Sequence, residues 1–138
     1  MNLKFTLLFG LLLLFVSCSE NIVSECETDI TTDGAVKASF SDINERVLQV
    51  SCATSGCHGG QFALPPVLDE NAYDNLVDVA STQRPSMDYV EPGDSENSWL
   101  MKKLLGEGTS IMPSGGSPLD DAVIDSIRVW IDNGAMNN

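Results

Sequence analysis

The chain sets two thiols and an imidazole close together, in the order Cys52-Ala53-Thr54-Ser55-Gly56-Cys57-His58. Three chemistries fit that set. In the first, each Cys sulfur adds to a vinyl group of haem, and the His that follows directly reaches the iron from one side of the ring. The usual spacing for such attachment is C-x-x-C-H. Here four residues separate the thiols. Ala53 to Gly56 must therefore bulge for both sulfurs to meet vinyls at fixed positions, and the small Ala53 and Gly56 make that feasible. In the second, Cys52 and Cys57 close a disulfide, which an exporting compartment permits. In the third, the same residues bind zinc or, with a Met, copper. A fourth zinc ligand at finger-like spacing is missing, and the adjacency of Cys57 and His58 makes joint coordination of one small ion awkward. His58 is the only His in the chain, so multi-His metal centres and catalysis by two imidazoles are excluded.

A thioether complements the imidazole. Ile111-Met112-Pro113-Ser114 lies 54 residues beyond His58, in a loop ahead of the last expected helix. Met with His is a standard axial pair for electron-transfer haem, and Met raises the reduction potential. The alternative role for Met112 is to fill a gap in an apolar core. Met87 is the rival ligand, also on a loop; Met101 reads as helix packing, and Met136 as part of a frayed tail.

Four helices must position these groups. Phe40, Ile43, Val47 and Val50 recur at helical spacing, and Asp42 with Glu45 makes a capping-box-like start. The spacing predicts a helix over about residues 42–51. Ala72, Tyr73, Leu76 and Val77 predict a second, opening after Asp69 or Asn71. A third follows Pro92-Gly93-Asp94, with Asp94 as N-cap, Trp99, Leu100, Leu104 and Leu105 as its apolar side, and Gly106 as its stop. The fourth is capped by Ser117 with Pro118 at the first helical position, buries Val123, Ile127 and Trp130, and ends at Gly134. No stretch alternates as a strand. Four short helices make a thin core, and the loops at 58–68 and 106–117 are long, so the domain is expected to pack around something besides its own side chains.

The rest of the chain frames that domain. Of 138 residues, 43% are hydrophobic, too many for a disordered chain and enough for one domain of this size. Seven Lys and Arg against 20 Asp and Glu give a net charge of -13, which argues against nucleic-acid binding. Residues 1–17 read as a secretory signal: Lys4, then an apolar run from Phe5 to Val16 that is too short to span a bilayer. Phe15-Val16-Ser17-Cys18 resembles a lipobox, with Cys18 as the lipidated residue, although Phe15 stands where Leu is usual. Residues 18–39 are polar and acidic and read as a lipid-anchored flexible tether, leaving 40–138 as the domain. Cys26 has no evident mate.

The order helix, Cys-x4-Cys-His-Gly, two middle helices, Met-Pro loop, terminal helix resembles a small class I c-type cytochrome, and in particular the exported bacterial domains of that family. The residues carrying the resemblance are Cys57-His58-Gly59, Pro92-Gly93-Asp94, Asn97-Ser98, Met112-Pro113 and Trp130-Ile131-Asp132-Asn133-Gly134-Ala135, and it spans about residues 40–136. The wide Cys spacing is its one departure. The resemblance implies an all-α, cytochrome c-like fold around one covalently attached haem c. Cys52 and Cys57 would be the thioethers, with His58 and Met112 as iron ligands. The first and last helices would cross, Phe40, Val47 and Val50 meeting Val123, Ile127 and Trp130. The outer ring nitrogen of His58 would bond a carbonyl, with Pro65 or Pro66 as candidates. Arg84, Tyr89, Trp99 and Ser114 are candidate donors to the haem carboxylates. Such a protein is an electron carrier rather than an enzyme, alone or as a module of a redox complex. It would be lipid-anchored in a bacterial cell envelope, facing the periplasm or on the outer membrane. Its acidic surface would favour redox partners with a basic docking patch. A non-haem lipoprotein with a Cys52–Cys57 disulfide, or one that binds copper or another metal, remains the alternative.

Overall fold

The computed structural model describes residues 34–138. The expected signal segment, Cys18, Cys26 and the larger part of the tether lie outside them. Four helices follow one another. Helix α1 opens as an α-helix over Phe40–Ile43 and continues without a break as a π-helix over Asn44–Cys52. Helices α2 (Ala72–Leu76), α3 (Trp99–Leu105) and α4 (Asp121–Asp132) complete the set. No strand occurs among the described residues; isolated bridges join Val77 to Val90 and Ala80 to Asp88. The fold is all-α, as the periodicity predicts.

The π winding changes which face of α1 is buried. At its end the Ala53 amide donates to the carbonyl of Leu48 at 2.7 Å, a five-residue step. Each turn therefore holds more residues than an α-turn. The inward positions run Ile43, then Val47 and Leu48, then the half-buried Cys52. Val50, expected on that face from α-helical spacing, is 65% exposed. The winding that removes Val50 from the core is the one that turns Cys52 inward.

The opening turn of α1, Phe40–Ile43, packs on α4, whereas Val50, implied as part of that contact, is exposed. The Phe40 ring lies 5.7 Å from Trp130 and meets the edge of Tyr73 at 5.0 Å. Edge-to-face pairs of this kind add about 1 kcal/mol beyond the area they bury. On α4, Ile124, Ile127, Trp130 and Ile131 are buried.

Three expected helix starts move. Helix α1 opens at Phe40 with Ser39 at its N-cap, and Asp42, inside the first turn, accepts from the Lys37 amide. Asp120, not Ser117, stands at the N-cap of α4, so Pro118 lies ahead of the helix. Leu119 just before the cap and Ile124 in the first turn both join the core, the arrangement of a hydrophobic staple, and this sets the entry point. Helix α3 begins at Trp99, after Asp94. The Asp94 carboxylate instead closes a turn, accepting from the Asn97 amide at 3.0 Å and side chain at 2.7 Å. These bonds hold its pKa below the usual Asp value. Gly106 ends α3 in the left-handed region, φ +71°, as read from the sequence.

Both flanks are fastened. Ser126 Oγ donates to the Val36 carbonyl at 2.8 Å, and the Arg46 guanidinium donates to the carbonyls of Ala35, at 2.7 Å, and Gly34. Residues 34–36 are thus tied to α1 and α4 ahead of Phe40. The tail is not frayed at Met136: Tyr73 Oη donates to the Ala135 carbonyl and Trp130 Nε1 to that of Met136, each at 2.9 Å. Asn138 accepts from the Phe40 and Ser41 amides, satisfying donors that a helix start leaves open.

Candidate functional site

Helices α1, α2 and α3 and their loops leave a cavity of about 690 Å³, within the usual range for cofactor and ligand sites. Leu48 and Cys52 at the end of α1, Leu76 of α2, and Trp99, Leu100, Lys103 and Leu104 of α3 supply its walls. Loop residues 56–58, 64–66 and 112–116 close it. Cys52, Cys57, His58 and Met112, singled out far apart in sequence, all line this one space. A second groove, of about 560 Å³, is polar, is lined by Asp94, Glu96, Glu107 and Arg128 among others, and contains none of these four.

The segment between the thiols bulges. The Cys57 amide donates to the Thr54 carbonyl at 3.0 Å, the His58 amide to that of Cys52 at 3.2 Å, and the Gly59 amide to that of Thr54 at 3.3 Å. Gly56 sits at φ +83°, where a side chain is strained. At Gly59 the constraint is space: a Cβ there would lie 2.1 Å from the Ala53 carbonyl oxygen. The two glycines let the chain fold back on itself and return His58 to the cavity.

His58 is oriented by backbone. Its Nδ1 lies 3.0 Å from the carbonyl oxygen of Pro66 and 3.0 Å from that of Leu64. Carbonyls only accept, so Nδ1 is the donor, and in the neutral ring the lone pair lies on Nε2. The loop is pinned in turn by the Leu64 amide on the Cys57 carbonyl, 2.6 Å, and the Leu68 amide on the His58 carbonyl, 2.8 Å.

Both thiols are free, Cys52 half-buried and Cys57 exposed. Burial, with the Cys57 charge adding to it, pushes the Cys52 thiol up to about 11. Among the described residues no three His, Cys, Asp or Glu side chains converge on a point that could hold a metal ion. Met112 reaches the cavity on a loop tied to α3: its amide donates to the Lys103 carbonyl at 2.8 Å. Of the other methionines weighed, Met101 is buried in α3, and neither it nor Met87 lines the cavity.

Of the candidate carboxylate donors, Tyr89, Trp99 and Ser114 are on the wall and Arg84 is not. The Tyr89 hydroxyl is already engaged, 2.9 Å from Thr82 Oγ1 and 3.1 Å from the Thr82 amide, which donates to it. Among the polar wall residues, Ser51, Gln83 and Lys103 escaped the sequence reading. Lys103 had a signal: it falls between Leu100 and Leu104 at helical spacing, on the apolar face.

Comparison of the chain with family models, with characterised proteins and with solved structures returns no match.

Proposed function

We propose that this chain is a monohaem c-type electron carrier, held at a bacterial cell envelope by a lipid on Cys18. One observation carries the reading: two thiols, an imidazole whose Nδ1 is committed to carbonyls, and a loop thioether line a single, largely apolar cavity. Cys52, Cys57 and His58 do not come together as a three-donor ion site, which favours a larger group in the cavity over zinc. Cys52 and Cys57 would hold the group covalently, and His58 Nε2 and Met112 Sδ would take the iron. Haem supplies a one-electron couple when bound. Leu48, Leu68, Leu76 and Leu104 exclude water from the site, and a thioether ligand favours the reduced state. With His58 and Met112 holding the iron, the group would keep no site for substrate, so the role would be transfer rather than turnover.

The surroundings of the cavity bear on partners. Residues 49–68 and 109–119 contain no Asp, Glu, Lys or Arg, although the chain has 20 acids. Phe62, Leu64 and Ile111 on these loops are exposed. A redox partner would meet an uncharged, apolar rim, while acids elsewhere steer a partner's basic patch from a distance. No helix among the described residues is long and apolar enough to cross a membrane; attachment in this reading is through the lipid.

The test is a haem stain on a denaturing gel, using protein matured together with haem-attachment machinery. Colour should travel with the polypeptide and vanish in the Cys52→Ala/Cys57→Ala double variant. A colourless band whose mass is peptide and lipid alone overturns the proposal in favour of a disulfide or metal-handling lipoprotein.

A further inference from the structure

We propose that Lys103 is the counter-ion for the carboxylate edge of the group that the cavity holds. The inference rests on the haem reading, because haem presents two carboxylates at one edge. In a chain with 20 acids and 7 bases, the cavity wall contains no Asp or Glu and one formally charged side chain, Lys103. Lys103 is half-buried, between Leu100 and Leu104 on the face of α3 that borders the cavity. Its Nζ donates to Thr109 Oγ1 at 3.1 Å and lies 5.8 Å from the centre of the Trp99 ring. Among the described residues no carboxylate pairs with it, whereas its neighbour Lys102 is paired with Glu107 at 2.7 Å. An ammonium in an apolar wall is poorly solvated unless an anion faces it.

The same corner gathers a second cation. The Arg84 guanidinium lies 6.0 Å from the Trp99 ring, off the cavity wall. Arg84 therefore adds to the local positive potential, while Lys103 is placed for direct contact. A positive charge at this position favours the reduced, less positive state of the iron and so raises the reduction potential.

The experiment uses the full haem-loaded chain and measures reduction potential at low ionic strength. The variants are Lys103→Met, Lys103→Arg and Thr109→Val, with the haem stain and the Met-to-iron absorption band followed in each. The expected result is a lower potential in K103M with stain and band retained, a return towards the wild-type value in K103R, and a wild-type value in T109V. T109V breaks the Nζ bond but keeps the charge, so it separates an electrostatic role from stapling of the loop. An unchanged potential in K103M overturns the proposal. So does a fall in T109V as large as that in K103M, or loss of the Met-to-iron band in K103M, since Lys103 would then act by holding the Met112 loop. Absence of stain in the wild-type protein refutes the haem reading itself, a separate outcome.

Discussion

The amide of Met112 donates to the carbonyl of Lys103 at 2.8 Å, which binds the thioether loop to the last turn of α3. That carbonyl belongs to a turn whose oxygens have no partner further along the helix. One bond therefore satisfies the helix end and fixes where Met112 sits. The Lys103 side chain reaches Thr109 in the same loop. The loop that supplies the thioether is thus positioned by α3 as much as by its own turn chemistry.

On the proposed haem reading, replacing Met112 should act on the iron rather than on the fold. Met112→Ala in haem-loaded protein is expected to remove the Met-to-iron band and lower the reduction potential. Met87→Ala should leave the spectrum as it is, because Met87 packs against the core away from the cavity wall. Visible spectroscopy and potentiometry of the two variants check this. A wild-type spectrum for Met112→Ala would remove Met112 from the iron.

Gly59→Ala places a methyl 2.1 Å from the Ala53 carbonyl oxygen, which is backbone and cannot rotate away. The bulge must open, at a cost of about 2 kcal/mol by analogy with overpacked cores. Urea denaturation should show a lower midpoint at unchanged slope, and haem incorporation should fall with it.

The two thiols should differ in reactivity towards iodoacetamide in haem-free protein. The nucleophile is the thiolate, and burial raises the Cys52 pKa to about 11. At pH 8 Cys52 is therefore almost wholly protonated and slow, and its rate should climb as pH rises towards that value. Cys57 is exposed and should be labelled first. Peptide mapping after timed alkylation reads the order; equal rates would mean that Cys52 is not buried as described.

Phe40 joins α1, α2 and α4 through Tyr73 and Trp130 and is 8% exposed. Phe40→Ala should cost about 3–5 kcal/mol, the range for deleting a buried aromatic ring. Thermal or urea unfolding of the haem-loaded protein measures it. Val50→Ala, at a position with 65% exposure, should change stability by no more than about 0.5 kcal/mol.

Several features could be read from residue order because their causes are local. Gly106 stops α3 because a left-handed end favours glycine, and the apolar spacing of Ile127 and Trp130 marks the buried face of α4. The bulge between Cys52 and Cys57 is expected from the four residues that separate the thiols, with the small Ala53 and Gly56 allowing it. Other features had causes elsewhere in the chain. The start of α4 depends on Leu119 reaching the core, which puts the cap at Asp120, three residues after Ser117, although Ser117 and Pro118 suit a helix start equally well. The tail around Met136 reads as loose, yet Tyr73 and Trp130 hold its carbonyls from other helices.

Sequence alone determined the chemical inventory: two thiols, one imidazole, a loop thioether, and helices at both ends of the domain, since residue type and spacing are properties of the chain itself. Tertiary structure decided that α1 winds as a π-helix, exposing Val50 and turning Cys52 inward, that the Pro66 and Leu64 carbonyls set the His58 tautomer, and that Lys103 stands on the cavity wall. The reason is physical: helix winding, tautomer and local field depend on groups brought close only when distant segments pack.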